Sequence, residues 1–188
     1  MFDLASRLVV VSGPAGVGKD TVVAKLLEMD NSFSLSVSAT TRAPRGNEQH
    51  GVNYYYFSVE DFLKKTENNE FIEYAKYGSN YYGTLKSDVE MRIADGKTVI
   101  LVIEVKGAAN IKKMYPDSLS IFVMPPSEEV LENRLRGRQT ESEADIKKRL
   151  DIAQSEMQER VNYDFIVVND DLEKAVIDAY KIIKNHTK

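Results

Sequence analysis

The 188-residue chain has no cysteine, which excludes disulfides, thiolate metal sites and a cysteine nucleophile. Histidine is nearly as scarce. Only His50 and His186 occur, too few for a histidine-rich metal site. Basic excess is missing as well: the formal net charge is −4, whereas a general nucleic-acid binder carries clustered positive charge. No apolar run approaches a membrane span, and the opening "MFDLASRLVVVSG" has neither a basic leader nor a long apolar core. The expectation is a cytoplasmic protein with no membrane or nucleic-acid partner. No internal repeat or low-complexity linker divides the chain. What remains is an ordinary globular composition, 43% hydrophobic and 29% charged, long enough to bury a real core.

Leu8 to Val11 is a short, continuous, valine-rich run, the pattern of a strand buried on both faces of a parallel sheet. "TVILVIEV" (Thr98–Val105), "LSIFVM" (Leu119–Met124) and "DFIVVN" (Asp164–Asn169) read as three further strands, with helices between them. One such helix ends near Asp95-Gly96, where glycine suits the C′ position. Leu172, Ala175, Val176, Ala179, Ile182 and Ile183 make the apolar stripe of a last helix. Strands alternating with helices predict an α/β sandwich around a parallel sheet.

Two segments differ from this pattern. From about Ser34 to Tyr82 the chain is rich in Tyr, Ser and Thr, with alternating stretches such as "YYYFSV". That predicts a small, mainly antiparallel sheet inserted in the core, with a short helix near Val59–Lys65. The charged segment "LENRLRGRQTESEADIKKRLDIAQSEMQER" has apolar residues at helical spacing (Leu131, Leu135, Ile146, Leu150, Met157). It reads as two helices with a turn near Gly137–Thr140.

Between the first strand and the helical stripe Val22, Val23, Leu26, Leu27 stands "SGPAGVGKDT". It follows the phosphate-loop pattern G-x-x-x-x-G-K-[ST] except at its last place, where Asp20 replaces the hydroxyl. Glycines let backbone N–H groups converge on phosphates, the next helix adds its positive end, and Lys19 adds a charge. Strand, glycine-rich loop and helix together predict nucleoside triphosphate binding. The loop says nothing about the reaction.

Further along, "SVSATTRAPRGNEQHGVNYYYF" puts Arg42 and Arg45 in a loop followed by Gly51 and Tyr54, and guanidinium forks match phosphate oxygens. "FIEYAKYGSNYYGT" offers Glu73, Tyr81, Tyr82 and Thr84. Each of these also fits an ordinary loop or strand. In series, however, "VVVSGPAGVGK", "SATTRAPR", "GVNYYYF", "FIEYAKYGSNYYGT", "PPSEEVLENRLRGR" and "YDFIVVNDD" resemble the guanylate kinase family over almost the whole chain. The resemblance implies one domain spanning 1–188. Its parts are a P-loop core (about 1–33, 84–125 and 160–188), a GMP-binding insertion (about 34–83) and a helical lid (about 126–159).

It also implies roles. Gly13, Pro14, Ala15, Gly16, Val17, Gly18, Lys19, Asp20 and Thr21 would bind ATP, and Asn169 its adenine. Arg42, Arg45, Tyr54 and Tyr82 would hold the GMP phosphate, and Ser38, Glu73 and Thr84 would read guanine. Chemistry favours that last set: guanine presents N1–H and a 2-amino group as donors and O6 as acceptor. A carboxylate suits the donors and hydroxyls suit O6. Arg134, Arg138 and Arg149 would stabilise the phosphoryl group in flight as the lid closes. The implied reaction moves the γ-phosphoryl of ATP, with Mg²⁺, to GMP or dGMP.

The chain departs from the family pattern at three places. Val102 and Glu104 stand where two acidic residues are usual, and Lys106 where Gln or Glu is usual. Glu104 retains a carboxylate to orient GMP or a metal-bound water. The third departure is Asp20, expected to take up Mg²⁺ directly or through water, or alternatively to cap helix N–H groups. Two rival functions are a related kinase for another phosphate ester and a non-catalytic interaction module of the same fold. Glu73 and Thr84 oppose the first, and the intact loop with Lys19 opposes the second.

Overall fold

The structure, a computed structural model, describes residues 5–137 and 143–187. Five strands, β1 (Leu8–Ser12), β2 (Phe33–Leu35), β7 (Thr98–Val102), β8 (Leu119–Met124) and β9 (Phe165–Val168), form a parallel sheet in the order β2-β7-β1-β8-β9. β1 lies at its centre and is buried throughout. Val9 and Val11 join one core cluster with Val22, Val23 and Leu26 of α1 (Lys19–Met29) and Ala175, Val176, Ala179 and Ile183 of α7 (Leu172–His186). Leu8 and Val10 face the other way. They join a second cluster with Val89 and Ile93 of α3 (Lys86–Ala94) and Ala108 and Ile111 of α4 (Val105–Met114). Side chains alternate across a strand, so a sheet covered on both faces needs an unbroken apolar run. Each buried Val or Leu stabilises the fold by about 1.5–3 kcal/mol.

The second sheet has the order β4-β3-β6-β5, built from β3 (Ser38–Thr40), β4 (Tyr55–Tyr56), β5 (Phe71–Tyr77) and β6 (Asn80–Leu85). The pairs β3/β6 and β5/β6 are antiparallel, and β3/β4 is parallel. α2 (Val59–Glu67), capped by Ser58 Oγ accepting from Asp61 N at 3.0 Å, packs Phe62 into its small core. α5 (Glu128–Arg136) and α6 (Glu143–Gln158) follow β8 and share the cluster Leu131, Leu135, Leu150 and Ala153.

Several sequence readings need correction. The apolar run Thr98–Val105 is not all strand: β7 ends at Val102, Glu104 is the N-cap residue of α4, and Val105 begins that helix. A run of four to eight apolar residues does not separate a strand from a buried helix start. Ser34, read as opening the antiparallel segment, lies in β2 and pairs with β7 of the main sheet. Its strand is only three residues long and buries Phe33 alone, so no periodicity marks it. β9 is shorter at each end than Asp164–Asn169. The glycine expectation at the end of α3 holds: Asp95 is the C-cap and Gly96 has φ 79°. The turn expected around Gly137–Thr140 lies outside the described residues, apart from Gly137 at the C-cap of α5.

Candidate active site

The phosphate loop joins the C-terminal end of β1 to α1, the end of a parallel sheet where ligands bind. Gly13, Gly16 and Gly18 adopt φ 137°, 84° and 94°, values that L side chains rarely tolerate. Gly13 is the tightest: a Cβ there would land on the carbonyl oxygen of Val123 in β8. Gly13→Ala should therefore cost more than about 3 kcal/mol, seen as a large fall in the chemical-denaturation midpoint.

Lys19 begins α1 and turns back over the loop. Its Nζ donates to the carbonyls of Gly13 at 2.6 Å and Pro14 at 3.1 Å. Burial pushes its pKa down, while Glu104, Asp20 and Glu156 oppose that shift. Asp20 is exposed in the first turn of α1, and it hydrogen-bonds no helix N–H among the described residues. Ala15 and Thr21 are also exposed, Pro14 is buried, and Val17 is fully buried. Asn169 lies behind the loop, 6% exposed, and its Nδ2 donates to the Val17 carbonyl at 2.8 Å. Arg134 of α5 donates to the Asn169 carbonyl at 2.9 Å and reaches Val17 O at 3.4 Å. Both residues thus brace the loop backbone. Arg149 stands half-buried on α6, and Arg138 lies outside the described residues.

A second group of residues sits on the small sheet. Ser38 of β3 is directly paired with Thr84 of β6, and Thr84 with Glu73 of β5. Directly opposed residues on adjacent strands share a face, so these three form one row across the sheet. Thr84 Oγ1 donates to Glu73 Oε1 at 2.8 Å. Burial pushes the Glu73 carboxyl pKa up, and the Thr84 bond offsets part of that. Its other oxygen, Oε2, packs against α4 at Gly107, 3.1 Å from where a Cβ would be. The row is therefore two hydroxyls beside a partly desolvated carboxylate.

Arg42, just past β3, lies 5.3 Å over the Tyr54 ring, and Tyr54 and Tyr82 meet edge-on at 6.3 Å. Its fork grips Glu48 through two bonds, 2.9 and 3.0 Å long. Glu48 also accepts from the Arg45 N–H at 2.7 Å and the Tyr56 hydroxyl at 2.9 Å. The Arg42 bond is the main reason that the Glu48 pKa falls to about 2, and the pairing raises that of Arg42. Arg45 is exposed at the rim. His50 is exposed and accepts from Tyr56 N at 3.1 Å, a structural part in its loop.

The family model of guanylate kinase matches residues 5–186 of the chain. The chain belongs to the guanylate kinase family. It is 49% identical over 177 residues to the guanylate kinase of Synechocystis sp. (strain ATCC 27184 / PCC 6803 / Kazusa), covering 94% of this chain and 93% of that protein. With the guanylate kinase of Clostridioides difficile (strain 630) it shares 43% over 185 residues, 98% and 90% of the two chains. The crystal structure of guanylate kinase from Anaplasma phagocytophilum superimposes with a TM-score of 0.75 at 34% identity, covering 96% of this chain and 85% of that one.

Two carboxylates that sequence reasoning missed complete this member of the family. Glu48 is the partner that holds the Arg42 fork; the only hint was a lone carboxylate in a loop with two arginines. Glu156 of α6 lies in hydrogen-bond reach of Glu104 and within charge range of Lys19 and Lys106. Its pKa is raised, first by burial and then by Glu104. Its sequence signal was a carboxylate three residues after buried Ala153, on the helix face turned inward. Glu104 itself is exposed, while Val102 packs against the core cluster beneath the loop.

Proposed function

We propose that the chain is a guanylate kinase, moving the γ-phosphoryl group of ATP to GMP or dGMP to give ADP and GDP or dGDP. The observation that carries this reading is the row Ser38–Thr84–Glu73, in a chain that also has an intact phosphate loop. The row matches the Watson–Crick face of guanine: Glu73 accepts from N1–H and the 2-amino group, and a hydroxyl donates to O6. Adenine would leave these groups unpaired, and unpaired buried polar groups are the source of such discrimination.

An oxygen of the GMP phosphate attacks the γ-phosphorus, and the bond to the β,γ-bridging oxygen breaks. The attacking phosphate has a second pKa of about 6, so it is largely ionised at neutral pH and needs no general base. Catalysis is then positioning and neutralisation of charge. Lys19 and the loop N–H groups hold the ATP phosphates, and Arg42, Arg45, Tyr54 and Tyr82 hold that of GMP. Arg134, Arg138 and Arg149 approach the moving group as the α5–α6 lid closes. The bracing of Val17 O by Asn169 and Arg134 supports a further part for both in shaping the loop.

Asp20 suits Mg²⁺: it is an exposed hard oxygen donor at the phosphate end of α1 and caps no helix N–H. When bound with ATP, the ion neutralises charge on the β- and γ-phosphates. Among the described residues no cluster of three or more carboxylates or imidazoles forms a cage, so the nucleotide and water would supply most of the ligands. Asp20→Gly should raise the Mg²⁺ concentration for half-maximal rate about fivefold, the equivalent of about 1 kcal/mol. An unchanged magnesium titration would sink the Asp20 assignment.

No helix among the described residues is long and apolar enough to cross a membrane. A coupled ADP-release assay with GMP, dGMP, AMP, CMP and UMP tests the whole reading. Turnover with the guanine nucleotides alone is expected. None with GMP at ample Mg²⁺ would defeat it, and ADP release driven by another phosphate ester as acceptor would favour the related-kinase alternative.

A further inference from the structure

The guanine-reading row stands where the chain crosses between the two sheets. Leaving the core, Ser36 N still bonds to Ile100 O of β7 at 3.1 Å, and two residues later Ser38 is already in β3. Returning, β6 ends at Leu85 and α3 begins at Lys86. One buried carboxylate ties these crossings together. Asp88, in the first turn of α3, has a side chain only 1% exposed. Its Oδ2 accepts from Val37 N at 3.0 Å, and its Oδ1 from the Tyr55 hydroxyl of β4 at 3.0 Å.

Arg92, one turn further along α3, grips both oxygens, with Nε at 2.9 Å and a terminal nitrogen at 3.0 Å. Its other terminal nitrogen donates to Ser34 Oγ of β2 at 2.8 Å. Every lone pair of the buried carboxylate thus faces a donor from the junction, the small sheet or α3. Arg92 carries the network on to Ser34, an acceptor at the core sheet's edge. Such a network is satisfied in one relative placement of the two sheets only, because a buried carboxylate that loses a donor is left unpaired.

We propose that Asp88 is a positioning residue for guanine recognition. By holding Val37 N and Tyr55 against α3, it fixes the start of β3 so that Ser38 stands opposite Thr84, and it sets the small sheet against the phosphate loop. The inference rests on the reading that Ser38, Glu73 and Thr84 contact guanine.

Asp88→Asn keeps the shape but turns an amide donor toward Arg92, Val37 N or Tyr55, where only an acceptor fits. It should raise KM for GMP about tenfold while KM for ATP stays within about twofold. Tyr55→Phe removes one donor and leaves the Asp88–Arg92 pair intact, so it should raise KM for GMP about threefold, leave KM for ATP nearly unchanged and lower the melting temperature by only a few degrees. Glu73→Gln, measured alongside, reports on the guanine reading itself. If Glu73→Gln impairs GMP use while both network variants leave KM for GMP unchanged, the positioning role is wrong. Equal rises in both Michaelis constants, tracking a fall in melting temperature, overturn it too, because a merely structural role predicts that. If Asp88→Asn does not fold, Tyr55→Phe decides alone. If Glu73→Gln leaves GMP use intact, the guanine reading fails, and the inference built on it falls with it.

Discussion

Glu73→Gln should lower kcat/KM for GMP by about 100-fold or more and leave KM for ATP nearly unchanged. A hydrogen bond to a charged group is worth about 1.5–3 kcal/mol, and guanine offers two donors to this one carboxylate. Losing two such bonds costs about 3 kcal/mol or more, and every 1.4 kcal/mol is tenfold. Glutamine also turns an NH₂ toward a donor, which adds repulsion to the loss. Steady-state kinetics with each substrate varied in turn measures this. GMP kinetics like those of the parent protein would remove Glu73 from the site.

The same substitution has a second consequence, opposite in sign. Burial raises the folded-state pKa of Glu73 above its ordinary value, so folding disfavours the charged form. The resulting penalty is present above the folded pKa and vanishes below the unfolded one. Glu73→Gln removes that penalty while Thr84 can still donate to the amide oxygen, so the unliganded variant should melt higher at neutral pH. Activity follows the carboxylate the other way. As pH falls, Glu73 takes up its proton earlier than an ordinary carboxylate, and KM for GMP rises. The GMP phosphate also titrates near about pH 6, so the acid limb that disappears in Glu73→Gln is the part belonging to Glu73. A site that loses stability in order to hold an acceptor ready is common where function sets the residue.

Under the proposed role Lys19→Met should lower kcat by about 10³-fold or more, since a part-buried cation beside developing phosphate charge is worth that much in such sites. The ammonium is already held over the loop by the Gly13 and Pro14 carbonyls, so little reorganisation is needed when ATP arrives. Burial lowers its pKa, and the neighbouring carboxylates Glu104, Asp20 and Glu156 help to keep it charged. Lys19→Arg should not restore activity, because a planar fork does not fit a loop built around a compact ammonium. A kcat within about tenfold of the parent for Lys19→Met would show that the loop N–H groups alone carry the charge.

Much of this molecule is written in short stretches of sequence. β1 was legible because a strand buried on both faces must be apolar at every position, and the loop was legible because only glycine tolerates φ 137°, 84° and 94°. The stripe of α7 was legible for the same reason: its buried residues Ala175, Val176, Ala179 and Ile183 repeat at helical spacing. Each of these signals is a pattern within one short segment, an unbroken apolar run, a glycine spacing or a helical repeat, and can be read without knowing which distant segment packs against it. β2 failed the same test because three residues with one buried side chain carry no period.

The site divides along the same line. Motif resemblance named Ser38, Glu73 and Thr84 one by one, but their standing in one row depends on the registers of β3, β6 and β5. Glu48, Glu156 and Asp88 carried almost no signal, because a carboxylate's meaning lies in its donors and neighbours. For Asp88 two of these, Val37 and Tyr55, lie 51 and 33 positions away, and only Arg92 is near in sequence. Residue types and local spacing were enough to specify an α/β fold with a phosphate loop, while the other candidate site residues were named by motif resemblance. Which carboxylates are buried, what pairs with them, and how Ser38, Thr84 and Glu73 come into one row were settled by folding, since desolvation and hydrogen-bond partners exist only once distant segments pack together.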